Sequence, residues 1–165
     1  MKLLKMFLDY PNSKLCVLLR QVVCGGEGIT VELRNKFFEC LNADLYHAYG
    51  PTEAAVSVTH WNCKFNNYLN IVPIGKPISN TQAYILDSNE QPLPQGAIGE
   101  LYIGGVGLAR GYLNQPELTA ERFIVNPFQT EAEKLQGKNA RLYKTGDLVR
   151  YLADGNIEYI GRNDF

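Results

Sequence analysis

The sequence predicts an α/β fold with a strand-rich second half, and three observations carry that prediction. Near the start, an apolar run, a glycine turn, a helical repeat and a second apolar run fit within roughly thirty residues, the pattern of a βαβ unit. From Ile71 onward Pro73, Gly75 and Pro77 break the chain, and helical periodicity gives way to short strand-like runs. Two pairs of those runs flank loops or turns containing Gly with Pro or Asp, which makes each pair a hairpin. The expected organisation is an α/β unit over residues 1–70 and a β-rich unit over residues 71–165.

Taken in order, Leu3, Leu4, Phe7 and Leu8 share one face of a first helix. Residues 15–19 lead into Gln21-Val22-Val23-Cys24, an apolar run that reads as a buried strand. It ends in Gly25-Gly26-Glu27-Gly28, after which Thr30 can cap a helix carrying Leu33, Phe37, Phe38 and Leu41 at helical spacing. Residues 45–49 form the next strand. Ligands of such sheets gather at the carboxyl ends of the strands, so the glycine turn and the loop after Tyr49 lie at one end. The glycines are not a dinucleotide fingerprint, because Val31 stands where G-x-G-x-x-G needs its third Gly or Ala.

In the second half, residues 82–87 and 98–103 make the first hairpin around a loop with two prolines. Residues 104–111, glycine-rich and carrying Arg110, lack the Lys-Ser/Thr ending of a P-loop and read as a structural turn. Pro116 can open a short helix that runs to Phe123, and residues 126–139 read as an exposed loop. Residues 148–152 and 156–160 pair across an Asp154-Gly155 turn. Asp147 stands at the start of that hairpin, either as a turn residue or as a hydroxyl acceptor. The chain stops at Asn163-Asp164-Phe165 directly after a strand, which reads as a truncation.

Chemistry concentrates in Tyr49-Gly50-Pro51-Thr52-Glu53. Gly tolerates backbone geometry that other residues resist and Pro fixes φ, so Gly50-Pro51 makes a tight loop. The loop displays a flat ring, a hydroxyl and a carboxylate, a set suited to a purine face, a phosphate oxygen and a divalent cation. An ordinary turn is the alternative. Composition excludes other classes: a net charge of −1 without any basic block leaves no footprint for nucleic acid or for a membrane surface. Asp9 and Asn12-Ser13-Lys14 cut the first apolar run well short of a membrane span, which places the protein in the cytoplasm. Cys16, Cys24, Cys40 and Cys63 lack metal-site spacing and are expected to be reduced, mostly buried thiols.

Four stretches, in order and spacing, resemble the adenylation domains of nonribosomal peptide synthetases, within the superfamily of adenylate-forming enzymes. They are Tyr49-Gly50-Pro51-Thr52-Glu53, then Gly99-Glu100-Leu101-Tyr102-Ile103-Gly104-Gly105 with Gly107-Leu108-Ala109-Arg110-Gly111-Tyr112-Leu113, then Tyr143-Lys144-Thr145-Gly146-Asp147-Leu148, and finally Gly161-Arg162-Asn163-Asp164. The forms with Pro51, Leu108-Ala109-Arg110-Gly111 and Lys144 are similar to amino-acid-activating members more than to acyl-CoA ligases.

The resemblance implies the end of an α/β sheet layer followed by a small distorted β-barrel subdomain. It implies an enzyme in which an amino-acid carboxylate attacks the α-phosphorus of ATP, giving an aminoacyl adenylate and pyrophosphate, and the acyl group then passes to phosphopantetheine on a carrier protein. Carrier and condensation domains are the implied partners. By the same resemblance Tyr49 stacks on adenine, with Ala48 and Gly50 beside it, and Thr52 touches the α-phosphate. Glu53 binds magnesium, Asp147 takes the ribose hydroxyls, Tyr159 flanks the nucleotide, Arg162 reaches its ribose or phosphate, and Asp164 is the hinge to a C-terminal lobe. Val23, Gly25, Ala48, Val56 and Ser57 line the amino-acid pocket, and His47 stands where asparagine is common. The family's phosphate loop belongs upstream of Met1 and its catalytic lysine beyond Phe165, so the isolated chain is expected to be inactive. Two other functions stay open: an inactive remnant acting as a nucleotide-binding or interaction module, and part of an acyl-CoA or fatty-acyl adenylate ligase.

Overall fold

Leu4 and Leu8 recur at helical spacing, and this places them on the buried side of α1 (Lys2–Asp9), while Leu3 and Met6 turn out to solvent. A computed structural model describes residues 1–64 and 70–163. After α1, β1 (Gln21–Cys24) runs parallel to β2 (Asp44–Tyr49), with α2 (Val31–Cys40) as the crossover between them. Thr30 caps α2 as its sequence predicts, its Oγ1 accepting from the Leu33 N–H at 3.2 Å. Phe37, Leu33 and Leu41 pack with Leu4, Leu8 and Leu45 into the first core. Thr30→Ala should cost about 1 kcal/mol of stability. Urea denaturation measures it, and an unchanged midpoint would mean that the cap contributes nothing.

Two further strands join this sheet. β3 (Thr59–Asn62) pairs antiparallel with β2, and the short β4 (Lys76–Pro77) pairs antiparallel with β3, giving the order β1-β2-β3-β4. The sequence did not announce either one, since Thr59-His60-Trp61-Asn62 is polar and β4 contains a proline. β1 is less covered than a buried strand, with Val23 67% exposed.

The second sheet is antiparallel throughout. Its members are β5 (Thr81–Leu86), β6 (Gly99–Gly105), β7 (Phe123–Val125), β8 (Arg141–Tyr151) and β9 (Ile157–Arg162). The order is β5-β6-β8-β7, with β9 also on β8. Among the described residues no pairing closes this sheet, so the barrel expectation holds only in its coarser form, a second sheet rich in strands. The helix α3 (Pro116–Arg122) has Pro116 in its first turn, as expected. The stretch read as a plain loop holds α4 (Glu131–Leu135), which starts with a reciprocal capping box between Thr130 and Glu133.

β8 differs most from its sequence reading. Asp147 does not open a strand; it lies inside one that runs unbroken from Arg141 to Tyr151. On β6, Tyr102 faces Lys144 and Glu100 faces Leu148, so Thr145, Gly146 and Asp147 together oppose Leu101. Side chains replace the missing ladder bonds. Thr145 Oγ1 donates to the Leu101 carbonyl at 2.7 Å, and the Gly146 N–H donates to Glu100 Oε1 at 3.0 Å. Such a bulge re-aims the side chain it carries, and here that side chain is Asp147.

Cys63 is buried, and burial pushes its thiol up to about 12. Cys24 and Cys40 are half-buried and Cys16 is exposed, so the thiols are free as expected but less buried.

Candidate functional site

The site is assembled where the end of β2 meets the bulge inside β8 and the end of β9. At the end of β2, Gly50 lets the chain fold back on itself: a Cβ there would sit 2.7 Å from the Val56 carbonyl oxygen and 2.8 Å from the Val58 nitrogen. The Val58 N–H donates to the Tyr49 carbonyl at 2.7 Å, and Thr52–Ala54 makes one 3-10 turn between them. The Tyr49 hydroxyl donates to Asp147 Oδ2 on the bulge of β8. Burial, and then the charge of Asp147, hold the Tyr49 hydroxyl protonated well above the usual tyrosine range.

Asp147 receives a second partner from β9, where Arg162 is its direct neighbour in the ladder. Arg162 Nη1 donates to Asp147 Oδ1 at 3.2 Å and to the Thr145 carbonyl at 3.0 Å. Gly146 has φ +73°, and a Cβ there would come within 3.2 Å of the guanidinium. Its lack of a side chain keeps that space open. Tyr159, on the same strand as Arg162, lies with its ring centroid 6.4 Å from that of Tyr49, tilted by 41°.

These groups enclose a cleft of about 350 Å³. Six expected site residues line it: Ala48, Tyr49, Gly50, Asp147, Tyr159 and Arg162. Gly26, Glu27, Gly28, Pro51 and Ile74 complete the wall together with His47. His47 is buried, and burial lowers its affinity for a proton, so it is neutral near pH 7. Its Nδ1 lies 2.9 Å from the Pro73 carbonyl, which holds the ring in place.

The other expected residues lie elsewhere. Thr52 is exposed on the turn, and Val56 and Ser57 are exposed just beyond it, with Val56 in a left-handed conformation at φ 71°. Val23 and Gly25 line a separate hollow with Phe7 and Leu4. Gly25 also has a packing reason to be glycine, since a Cβ would stand 2.7 Å from the Ala48 carbonyl oxygen. Asp164 lies outside the described residues.

Glu53 turns from the cleft wall toward two tyrosines that sequence reasoning did not connect to it. The Tyr112 hydroxyl donates to Glu53 Oε1 at 2.7 Å, and the Tyr143 hydroxyl lies 3.4 Å from that of Tyr112. Burial opposes the charge on Glu53, but the Tyr112 hydrogen bond leads a set that outweighs it and holds the carboxyl below its usual range. The glycine-rich turn packs here as well: the Ala109 N–H donates to the Glu53 carbonyl at 2.7 Å, and Arg141 bonds the carbonyls of Ala109 and Arg110. That supports the structural-turn reading of residues 104–111.

Among known proteins, residues 2–113 match the family described as AMP-binding enzyme. The chain belongs to the AMP-binding enzyme family. It is 51% identical over 142 residues to malpinin synthetase of Mortierella alpina, and 43% identical over 162 residues to tyrocidine synthase 3 of Brevibacillus parabrevis. Those matches cover 86% and 98% of this chain but 2% of each relative. The solved nonribosomal peptide synthetase FmoA3 superposes over 98% of the chain and 17% of its own length, with TM-score 0.82 and 32% identity. An artificially fused adenylation-PCP di-domain from Klebsiella oxytoca, NpsA-ThdA, gives TM-score 0.80 at 28% identity, covering 98% of this chain and 31% of that one. The chain thus corresponds to part of a nonribosomal peptide synthetase adenylation domain.

The cleft fits a nucleotide on its own chemistry. Tyr49 and Tyr159 offer ring faces. The Asp147 carboxylate can accept at about four positions, so its two present donors leave acceptor capacity for hydroxyls. For a cation, the described residues hold no cluster of three His, Cys, Asp or Glu. Glu53 offers a single carboxylate with spare acceptor capacity, and one or two carboxylates together with substrate phosphates are what would hold a magnesium ion.

Proposed function

We propose that this chain supplies the nucleotide-binding part of an enzyme that activates an amino acid with ATP, releasing pyrophosphate, and then loads it onto the phosphopantetheine thiol of a carrier protein. The observation that carries the reading is the convergence of Tyr49, Asp147, Tyr159 and Arg162, from three strands of two sheets, on one cleft. In this reading Tyr49 and Tyr159 hold the base and Asp147 accepts the ribose hydroxyls. Arg162 balances the charge nearby, Thr52 meets the α-phosphate and Glu53 holds magnesium. The division near Ile71, the barrel-like character of the second sheet, the hinge at Asp164 and a cytoplasmic setting beside carrier and condensation domains belong to the same proposal. Among the described residues no helix is long and apolar enough to cross a membrane.

The substrate follows from what the pocket residues lack. This structure leaves Val23, Gly25, Ala48, Val56 and Ser57 apart and several of them exposed, but in the pocket that the resemblance implies they bring no fixed charge, and burying an unpaired ionic side chain there would cost several kcal/mol, roughly. A neutral amino-acid side chain is therefore expected. The test is a chimera in which residues 1–165 replace the matching span of tyrocidine synthase 3. Amino-acid-dependent exchange of labelled pyrophosphate into ATP, strongest for neutral side chains and lost in Glu53→Ala, is the expected result. A folded chimera without exchange would contradict the activity, and one selective for aspartate, glutamate, lysine or arginine would contradict the pocket assignment.

A further inference from the structure

Glu53 is held at both its backbone and its side chain by a part of the chain far from it in sequence. Its carbonyl accepts from Ala109 and its carboxylate accepts from Tyr112. The Tyr143 hydroxyl lies 3.4 Å from that of Tyr112 and so backs the donor that holds this carboxylate. Phe123 is buried and packs edge-on to Tyr112 at 5.8 Å and against Tyr143 at 5.0 Å, which fixes both rings. Arg141 lies over Phe123 at 5.3 Å and pins the backbone of Ala109 and Arg110, so the clamp is itself braced.

The chemistry of the clamp is selective. Arg122 is near enough to favour the charged carboxylate, while the Tyr112 hydroxyl, a neutral donor backed by Tyr143, fixes its direction and leaves its charge intact. One donor, on Oε1, leaves most of the carboxylate's acceptor capacity, about four sites in all, for a cation. Magnesium demands near-octahedral geometry, so a lone loop carboxylate serves it only if it is aimed. Groups that orient a metal-binding carboxylate typically matter almost as much as the carboxylate.

We propose that Tyr112 and Tyr143 are positioning residues that orient the Glu53 carboxylate for the divalent cation accompanying a bound nucleotide. This rests on the reading of Glu53 as the ligand of that cation. The competing account is that Glu53 merely anchors the turn around Ala109, in which case the tyrosines would affect stability alone.

The test uses Mn²⁺ as the probe, titrated into the purified tyrocidine synthase 3 chimera with saturating α,β-methylene-ATP, free Mn²⁺ being read by electron paramagnetic resonance. Tyr112→Phe and Tyr143→Phe should each weaken nucleotide-dependent Mn²⁺ binding by roughly tenfold, with nucleotide binding in EDTA unchanged. Phe123→Leu keeps both hydroxyls and should lower the melting temperature with a much smaller effect on Mn²⁺. If Glu53→Gln weakens Mn²⁺ binding but neither tyrosine variant does, the positioning role is overturned and the cation reading stands. If Glu53→Gln has no effect, the cation reading fails and this inference fails with it.

Discussion

Gly75→Ala should destabilise the fold by roughly 3–5 kcal/mol, a large share of the stability of a domain of this size. Gly75 has φ +87°, and a Cβ on it would lie 1.8 Å from the His60 carbonyl oxygen and 2.3 Å from its carbon. Neither atom belongs to a flexible side chain, so the backbone itself must move. The movement would be felt in both sheets. Gly75 follows Ile74 and precedes β4 in the first sheet, while its carbonyl accepts from the Ile157 N–H of the second at 2.8 Å. Strain at a left-handed position is of order 1–3 kcal/mol, and each backbone hydrogen bond lost adds about 1 kcal/mol. Gly137→Ala is the control: its φ is +64° with nothing near the would-be Cβ, so it should show the conformational cost alone. Urea denaturation of the two variants measures the difference. A Gly75→Ala midpoint no lower than that of Gly137→Ala would show that His60 yields without cost.

Gly75 also shows where sequence reasoning runs out. As a letter between Pro73 and Pro77 it signals only a break. That it is the point where two sheets cross depends on His60 and Ile157, which lie far from it along the chain. Elements whose apolar residues follow one period were legible: α1, α2, β1, β2, β5 and β6 appear within a few residues of their expected places. β3 and β4 were not, because half-exposed polar residues and a proline carry no such period. α4 had a readable signal in Thr130 and Glu133, the spacing of a capping box, but it sits in a stretch whose polarity argued for a loop.

The site divides the same way. Tyr49, Asp147, Tyr159 and Arg162 were named from motifs, and they line one cleft because a bulge on β8 and the β8–β9 ladder bring them there. The clamp on Glu53 was invisible, since Tyr112 is 59 residues away and nothing local marks the pair. The first, third and fourth motifs point to a ligand or a hinge, and the glycine-rich stretch of the second reads as a structural turn. The structure adds that the second and third motifs, through Ala109, Tyr112 and Tyr143, also hold the first.

Asp147→Asn should lower nucleotide use by about ten- to a hundredfold in kcat/KM for ATP, equivalent to the loss of one charge-assisted hydrogen bond. Asp147 already accepts from Tyr49 on Oδ2 and from Arg162 on Oδ1. Arg162 can only donate, so an amide at this position must turn its oxygen to Arg162 and its NH₂ to the Tyr49 hydroxyl. That orientation is compatible with the fold. It leaves one acceptor oxygen, already in use, where the carboxylate had two, and it removes the negative charge that strengthens bonds from ribose hydroxyls. The fold should notice less. Arg162 is 39% exposed, and an ion pair with such a partner contributes on the order of 0–1 kcal/mol. The two readings of Asp147 therefore separate cleanly when ATP kinetics of the chimera and its melting temperature are measured side by side. A nucleotide residue predicts a large kinetic loss with a small change in melting, and a purely structural residue predicts the reverse. Unchanged ATP kinetics with a clearly lowered melting temperature would show that Asp147 serves the bulge, with Tyr49 and Arg162 there to hold it.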